Sequence, residues 1–255
     1  RQPFSKRHSA SSPGPAARRD VSSLEGLGRL LASYRMYHVW GLDQSRPLFV
    51  LRKLRDDQAR QDRWGFPWVP PESRGMRTWI DIATPAAEQL AAMAGRGPVY
   101  VNTLPSNILR LSLEARRSSV RLSIPYIVCV GEYLAPEVRR IAAEAFGSTI
   151  IDAFSSAEGG VIAVQCPESG LYHIQSEQVL AELVDAEGRP CAEGSTGEVV
   201  VTPLYGYATP LLRYRSGDFV EAGPSCSCGR SLPTIARIAG RKEHMFQDAQ
   251  GGLAL

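Results

Sequence analysis

Nine consecutive residues, Asp152-Ala153-Phe154-Ser155-Ser156-Ala157-Glu158-Gly159-Gly160, place an aromatic ring, two hydroxyls, a carboxylate and two glycines at the end of an apolar run. A nucleotide site needs such parts: a ring to stack on a purine, glycines that admit a phosphate, and a carboxylate for a hard cation bridging phosphates. The same string also describes a strand-end turn with a solvated glutamate. Further on, Arg213-Tyr214-Arg215-Ser216-Gly217-Asp218 supplies a second carboxylate, and Ile238-Ala239-Gly240-Arg241 a cation. Cys166, His173, Cys226 and Cys228 form a third group, three thiolates and one imidazole, which tetrahedral zinc accepts in a structural role with no open position. Such a site would close a long loop that has little core of its own. Cys-x-Cys is less specific than paired Cys-x-x-Cys, so unligated loop thiols are the alternative. Cys129, in an apolar run, reads as a small buried hydrophobe, and Cys191 as a loop thiol.

The elements that must position these residues are a βαβ unit and a β-rich stretch. Residues 124–130 form an apolar strand, 136–146 a helix stopped by Gly147, and 149–154 a second strand. A right-handed crossover would make the strands parallel. Ligands of such sheets gather at the C-terminal strand ends, here Gly131-Glu132-Tyr133 and residues 154–158. Upstream, 9–15 is a loop and helical patterning starts near Ser22. A packing helix has Thr84 as N-cap, Pro85 in first position, Leu90 and Met93 as apolar contacts, and Gly95 beyond. A strand at 99–103 and a turn at 104–107 that opens another helix follow. Downstream, 161–165, 171–174, 179–184 and 198–202 are strands, with a hairpin turn at Asp185-Ala186-Glu187-Gly188. They suggest a small distorted barrel or an antiparallel layer. A return through Pro167-Glu168-Ser169-Gly170 would bring Cys166 beside His173. The aromatic stretch Trp64-Gly65-Phe66-Pro67-Trp68 reads as core or loop packing, with a pocket wall or an interface as the alternative.

The fold class expected is therefore α/β: a parallel-sheet core over residues 1–160, a β-rich subdomain over 161–239, and a hinge over 240–255. The 255 residues suffice for a full core, as one large domain or two small ones. Hydrophobic and charged fractions of 44% and 22% exclude bulk disorder and collagen-like repetition. No apolar run reaches the length of a membrane span. The formal charge is only +3, and many cations, including Lys6, Arg7, Arg18 and Arg19, lie near one end, which argues against a nucleic-acid footprint. Five cysteines, with Cys226 and Cys228 nearly adjacent, fit a reducing compartment and metal binding better than a disulfide framework. No signal-peptide pattern is present, so a cytoplasmic location is expected. Oligomeric state is not legible.

Taken in order, the turn at 154–158, the segment 214–218 and Gly240-Arg241 resemble three signatures of the phenylacetate-coenzyme A ligases, within the adenylate-forming (acyl-CoA synthetase) superfamily. These are an aromatic-Gly-x-Ser/Thr-Glu turn, a Tyr-Arg-Thr-Gly-Asp segment and a Gly-Arg entry into a hinge. Gly131-Glu132 and Cys226-x-Cys228-Gly229-Arg230 add to the likeness, which is strongest over residues 124–245. The resemblance implies that Phe154 stacks on adenine, that Gly131 and Glu132 line the same pocket, and that Ser155 and Ser156 belong to the nucleotide turn. Glu158 would hold Mg2+, Asp218 would accept hydrogen bonds from the ribose hydroxyls, and Arg241 would contact the nucleotide near its phosphates. Glu158 and Arg241 would be the catalytic pair.

Two departures stand out. Ser155 replaces the family's glycine and Ala157 its hydroxyl residue, so one phosphate contact is missing. The phosphate loop aligns only with 8–15, where Ala10 and Pro13 replace glycines and Pro13 has no N–H to offer. Relatives continue past Lys242-Glu243-His244, where Glu243 matches an acidic hinge residue, into a small C-terminal domain with an adenylating lysine. The chain is thus expected to be truncated before that domain. The implied function is ATP- and Mg2+-dependent activation of an aryl or other hydrophobic carboxylic acid, bound between the 104–107 turn and the Gly131 rim, then transfer to coenzyme A. Alternatives are a coenzyme F390 synthetase-like nucleotidyl transferase and a degenerate, non-catalytic nucleotide-binding module.

Overall fold

The computed structural model describes residues 5–8, 18–54, 61–66, 68–241, 246–247 and 253–254. In chain order the elements are β1 (Ser5–His8), β2 (Arg18–Val21), α1 (Ser23–Val39), β3 (Leu48–Arg52), β4 (Gln61–Arg63), β5 (Met76–Asp81), α2 (Ala86–Met93) and β6 (Tyr100–Thr103). There follow α3 (Pro105–Ser118), β7 (Tyr126–Val130), α4 (Pro136–Phe146), β8 (Thr149–Ser156), β9 (Gly160–Gln165), β10 (Tyr172–Ile174), β11 (Val179–Val184), β12 (Thr196–Pro203), β13 (Tyr214–Ala222) and β14 (Thr234–Arg241). They fall into two compact units: an α/β unit, Trp40–Asp152, and a β-rich unit made of Arg1–Val39 with Ala153–Leu255.

In the α/β unit the strands run β7-β6-β3-β5-β4, parallel except for β4 at the edge. The sequence of β3, Leu-Phe-Val-Leu, is buried without alternation, as a strand covered on both faces must be. Leu90 and Met93 of α2, Ile108 and Leu111 of α3 and Val138 and Ala142 of α4 close over Phe49, Leu51, Val101 and Ile127. Each such large side chain contributes about 1.5–3 kcal/mol by leaving water. Helix α4 ends as its sequence requires: Gly147 adopts φ 68°, and its N–H reaches the Ala143 carbonyl at 2.9 Å. Helix α2 starts one residue later than its sequence suggests. Asp81 accepts the Ala83 N–H at 2.8 Å and its carbonyl accepts that of Thr84 at 3.0 Å, so Thr84 is spent on a turn and Pro85 takes the cap. Cys129 is buried as expected, and burial first, then the charge of Asp152, pushes its thiol up to about 12. It stays a neutral hydrophobe. Trp64 and Phe66 are core residues, whereas Trp68 is exposed and stacks on Phe66 at 4.6 Å.

The β-rich unit is an antiparallel layer in the order β8-β9-β10-β14-β13-β12-β11, with β8 entering it at Ala153. Its core holds Phe154, Ile162, Tyr172, Ile174, Val179, Val199, Val201, Val220 and Ile235. Helix α1 packs with this unit through Ala32 and Met36, so the first 39 residues group with the β-rich part rather than with the rest of 1–160. Strands β1 and β2 pair as a hairpin, and the expected phosphate loop beyond His8 lies outside the described residues, as do Lys242, Glu243 and His244. Among the described residues no helix is long and apolar enough to cross a membrane.

Candidate nucleotide site and cysteine-histidine centre

The nucleotide turn is the β8–β9 hairpin. Phe154 pairs with Ala163 and Ser155 with Val161, so a bulge sits between them, and Ser156 faces Gly160. Bulges re-aim side chains beside functional sites. Phe154, expected to stack on adenine, is 8% exposed and belongs to the core cluster, so only a small part of it is left for a purine. Ser155 and Ser156 are half-buried, and the Ser156 hydroxyl accepts the Gly159 N–H at 2.8 Å, closing the turn. Gly160 adopts φ +73°, and a Cβ there would stand 2.6 Å from Gln178 Nε2. Gly160→Ala should therefore destabilise the chain by about 1–3 kcal/mol, the cost of a left-handed non-glycine residue. Urea titration measures this. An unchanged midpoint would show that the turn relaxes freely.

Glu158, at the apex of that turn, and Asp218, on β13, are both 7% exposed. Strand register sets Asp218 opposite Arg241 on β14, and Arg241 Nε donates to Asp218 Oδ1 at 3.0 Å. The Ser216 hydroxyl accepts the Asp218 N–H at 3.1 Å and fixes the backbone before the carboxylate. Burial, the largest cause, and the negative charge of Glu158 raise the Asp218 pKa; Arg241 opposes them and does not win. Glu158, Asp218 and Arg241 thus share one electrostatic neighbourhood within the β-rich unit. Arg241, expected at the phosphates, commits one of its donors to Asp218.

Gly131 and Glu132 belong to the α/β unit. Glu132 accepts the Ser106 N–H at 2.9 Å and its hydroxyl at 3.0 Å, so it caps α3, which has no cap of its own at Leu104. These bonds span the gap between the 104–107 turn and the Gly131 rim, where an acid substrate was expected. Asn107 is buried and tied to Gln89, Thr103 and Arg110. Arg52, which the sequence reading passed over, donates to Asn102 Oδ1 and to the Thr103 and Val130 carbonyls, binding together the C-terminal ends of β3, β6 and β7.

The cysteine-histidine set comes together from two hairpins of the β-rich unit. Between β9 and β10 the Cys166 N–H meets the Leu171 carbonyl and the Gly170 N–H the Cys166 carbonyl, which sets Cys166 beside His173. Cys226 and Cys228 lie on the β13–β14 loop, whose base is closed by the bond between Gly223 N–H and the Thr234 carbonyl. Thr234 itself pairs with His173. One ligand atom from each of Cys166, His173, Cys226 and Cys228 lies within 4.8 Å of all the others. Cys226 Sγ is 3.9 Å from Cys166 Sγ, against roughly 3.8 Å for two sulfurs on one tetrahedral zinc. Cys228 Sγ is 3.2 Å from His173 Nε2. Burial raises the Cys166 pKa, but backbone donors at Ser169 and Glu168, the Ser169 hydroxyl and His173 outweigh it and lower it to about 6. Arg230, 3.7 Å from Cys166 Sγ, and the Ser169 hydroxyl, 3.1 Å from Cys226 Sγ, surround the sulfurs with donors. Three sulfurs and one nitrogen at these spacings fit Zn2+ in both number and softness.

No family model matches this chain. The chain is 33% identical over 157 residues to the phenylacetate-coenzyme A ligase of Thermus thermophilus, a match covering 58% of this chain and 35% of that protein. It is 30% identical over 157 residues to the corresponding ligase of Escherichia coli, covering 58% of this chain and 36% of that protein. The matched part thus amounts to about a third of the relatives' length. Among solved structures, a 2-hydroxyisobutyryl-CoA ligase with 2-HIB-AMP and CoA is 19% identical, covers 99% of this chain and 55% of its own, and superposes with a TM-score of 0.77. An anthranilate CoA ligase with anthranoyl-AMP is 18% identical, covers 97% and 49%, and has a TM-score of 0.70. The fold is that of the large-domain core of adenylate-forming enzymes. Over the matched residues the sequence is similar to the phenylacetate-coenzyme A ligases.

Proposed function

We propose that this chain is the nucleotide-binding part of an AMP-forming acid–thiol ligase. In that reaction the acid's carboxylate oxygen attacks the α-phosphate of ATP, giving an acyl-adenylate and pyrophosphate; a coenzyme A thiol then takes the acyl group, releasing AMP. The observation that carries the reading is the convergence of Glu158, Asp218 and Arg241, three residues distant in sequence, in one buried polar neighbourhood beside the β8–β9 turn. Asp218 would accept from the ribose hydroxyls, and Arg241, whose charge favours the ionised form of Asp218, would present its remaining donors toward phosphate. Glu158 is a hard oxygen donor of the kind Mg2+ takes, one or two carboxylates completed by substrate phosphates. The metal would supply charge neutralisation at the phosphates.

Glu158→Gln should accordingly cut Mg2+-dependent turnover far more than nucleotide binding measured without metal. Equal losses in both assays would assign Glu158 a structural role. Acid-dependent exchange of labelled pyrophosphate into ATP, run on the full-length gene product with a panel of aryl and aliphatic acids, tests the reaction and its substrate class. Exchange with no thioester on adding coenzyme A would favour the nucleotidyl transferase instead. The clustering of Cys166, His173, Cys226 and Cys228 supports a second component, a structural Zn2+ that ties the β9–β10 hairpin to the β13–β14 loop.

A further inference from the structure

We infer that Arg29 is a positioning residue for Glu158, acting from α1 through the backbone of the nucleotide turn. The inference rests on the reading of that turn as part of a nucleotide site. Arg29 Nη2 donates to the Ala157 carbonyl at 3.0 Å, the peptide that leads directly into Glu158. The guanidinium is itself held: Nε and Nη2 donate to Glu25 Oε1 at 3.2 and 2.8 Å, and the side chains of Arg29 and Glu25 are only 15% and 5% exposed. Glu25 is fixed in turn, since its N–H is capped by the Ser22 hydroxyl at 3.2 Å.

On the other side of Glu158, a Cβ at residue 160 would stand 3.3 Å from Arg29 Cζ. One planar cation therefore lies against the residue before Glu158 and against the second residue after it. The bond to the Ala157 carbonyl thus ties the backbone that enters Glu158 to α1. Packing does not explain a guanidinium here, because Ala32 and Met36 already supply the buried apolar face of α1. A lysine could reach one acceptor but lacks the fork that serves Glu25 and Ala157 together.

The test uses Mn2+ as a paramagnetic probe on the intact chain. Mn2+ affinity in the presence of ATP is read by electron paramagnetic resonance, and ATP affinity in metal-free buffer by calorimetry. Arg29→Gln should weaken Mn2+ binding by about tenfold, the low end for residues that orient metal ligands, with metal-free ATP affinity unchanged. Arg29→Lys should lie between the two and carries the same comparison if the glutamine variant does not fold. Losses of equal size with and without Mn2+, or none at all, would overturn the inference while leaving the nucleotide site in place. A wild-type chain that binds neither ATP nor Mn2+ with ATP would overturn both.

Discussion

Replacing Cys226 by serine is expected to empty the cysteine-histidine centre and to produce the largest loss of stability of any single exposed-loop change in this chain. The sulfur is 3.9 Å from Cys166 and is half-buried, so serine adds no trapped polar group and the effect reads metal loss itself. Without the ion, the β13–β14 loop and the 167–170 turn lose their common anchor, and the two remaining thiols, Cys166 and Cys228, are left beside a buried imidazole. Structural zinc contributes about 10–16 kcal/mol in zinc-finger peptides, which have almost no core. Here the β-rich unit has its own apolar cluster, so the loss should be smaller, on the order of 4–5 kcal/mol, the top of the range for point substitutions. That corresponds to a fall in Tm of roughly 10 °C or more. Elemental analysis should give one zinc per wild-type chain and almost none in the variant. Purified wild-type chain without zinc, and with an unchanged Tm after substitution, would return the four residues to ordinary thiols and a packed histidine.

Strands bounded by glycine and helices with clear stops were legible in the sequence because their signals are local. The helix at 136–146 and the strand at 179–184 stand at the limits their residues suggest. Strand β8 runs two residues past its apolar run, since the hairpin with β9 continues pairing through Ser156. What local pattern missed was the short β1, β2 and β4 together with β3, β5, β13 and β14. Strand β3 is a short apolar run with no alternation, a pattern that periodicity cannot separate from a buried helix segment. In β13 and β14 the chemistry-bearing residues Asp218 and Arg241 drew attention as motifs, and their pairing depends on a register with two bulges that no spacing rule supplies.

The same distinction governs the candidate site. Cys166, His173, Cys226 and Cys228 could be grouped because few side chains accept zinc, and chemistry narrowed the choice before geometry did. Arg29 and Arg52 carried no such label: both are ordinary arginines in sequence, and each acquires its role from carbonyls more than 50 residues away. Arg230 belongs to the Cys226-x-Cys228-Gly229-Arg230 segment, yet its place beside Cys166, 64 residues away, follows only from the fold. Phe154 is the reverse case. An aromatic residue before a glycine-rich turn suggests stacking, and the fold adds a second role for it as a member of the core cluster of the β-rich unit.

Asp218→Ala is expected to weaken adenosine-nucleotide binding by about 1.5–3 kcal/mol, the range for hydrogen bonds to a charged acceptor. That is roughly ten- to a hundredfold in Kd. The accompanying change in fold stability should be much smaller. Removing one member of a fully buried ion pair costs about 3–5 kcal/mol, but the Arg241 side chain is 22% exposed and can be rehydrated. Asp218 also brings its own penalty, because burial and Glu158 raise its pKa above the ordinary carboxylate value. A group that binds its proton more tightly when folded favours the native state fully below its unfolded pKa. That contribution is lost as pH rises through the folded pKa, and the ionised form then counts against folding. Ribose recognition requires the ionised acceptor, so the sign for binding is the reverse: affinity should fall as pH drops through the raised pKa of Asp218, sooner than for an exposed aspartate. Calorimetric titrations of ATP into wild type and variant across the acidic range measure both effects at once. The wild type should lose affinity toward low pH from a higher starting point, and the alanine variant should show a weaker and flatter dependence. Equal affinities, or parallel pH curves with the fold intact, would remove Asp218 from the nucleotide site and leave its bond to Arg241 as a link between β13 and β14 alone.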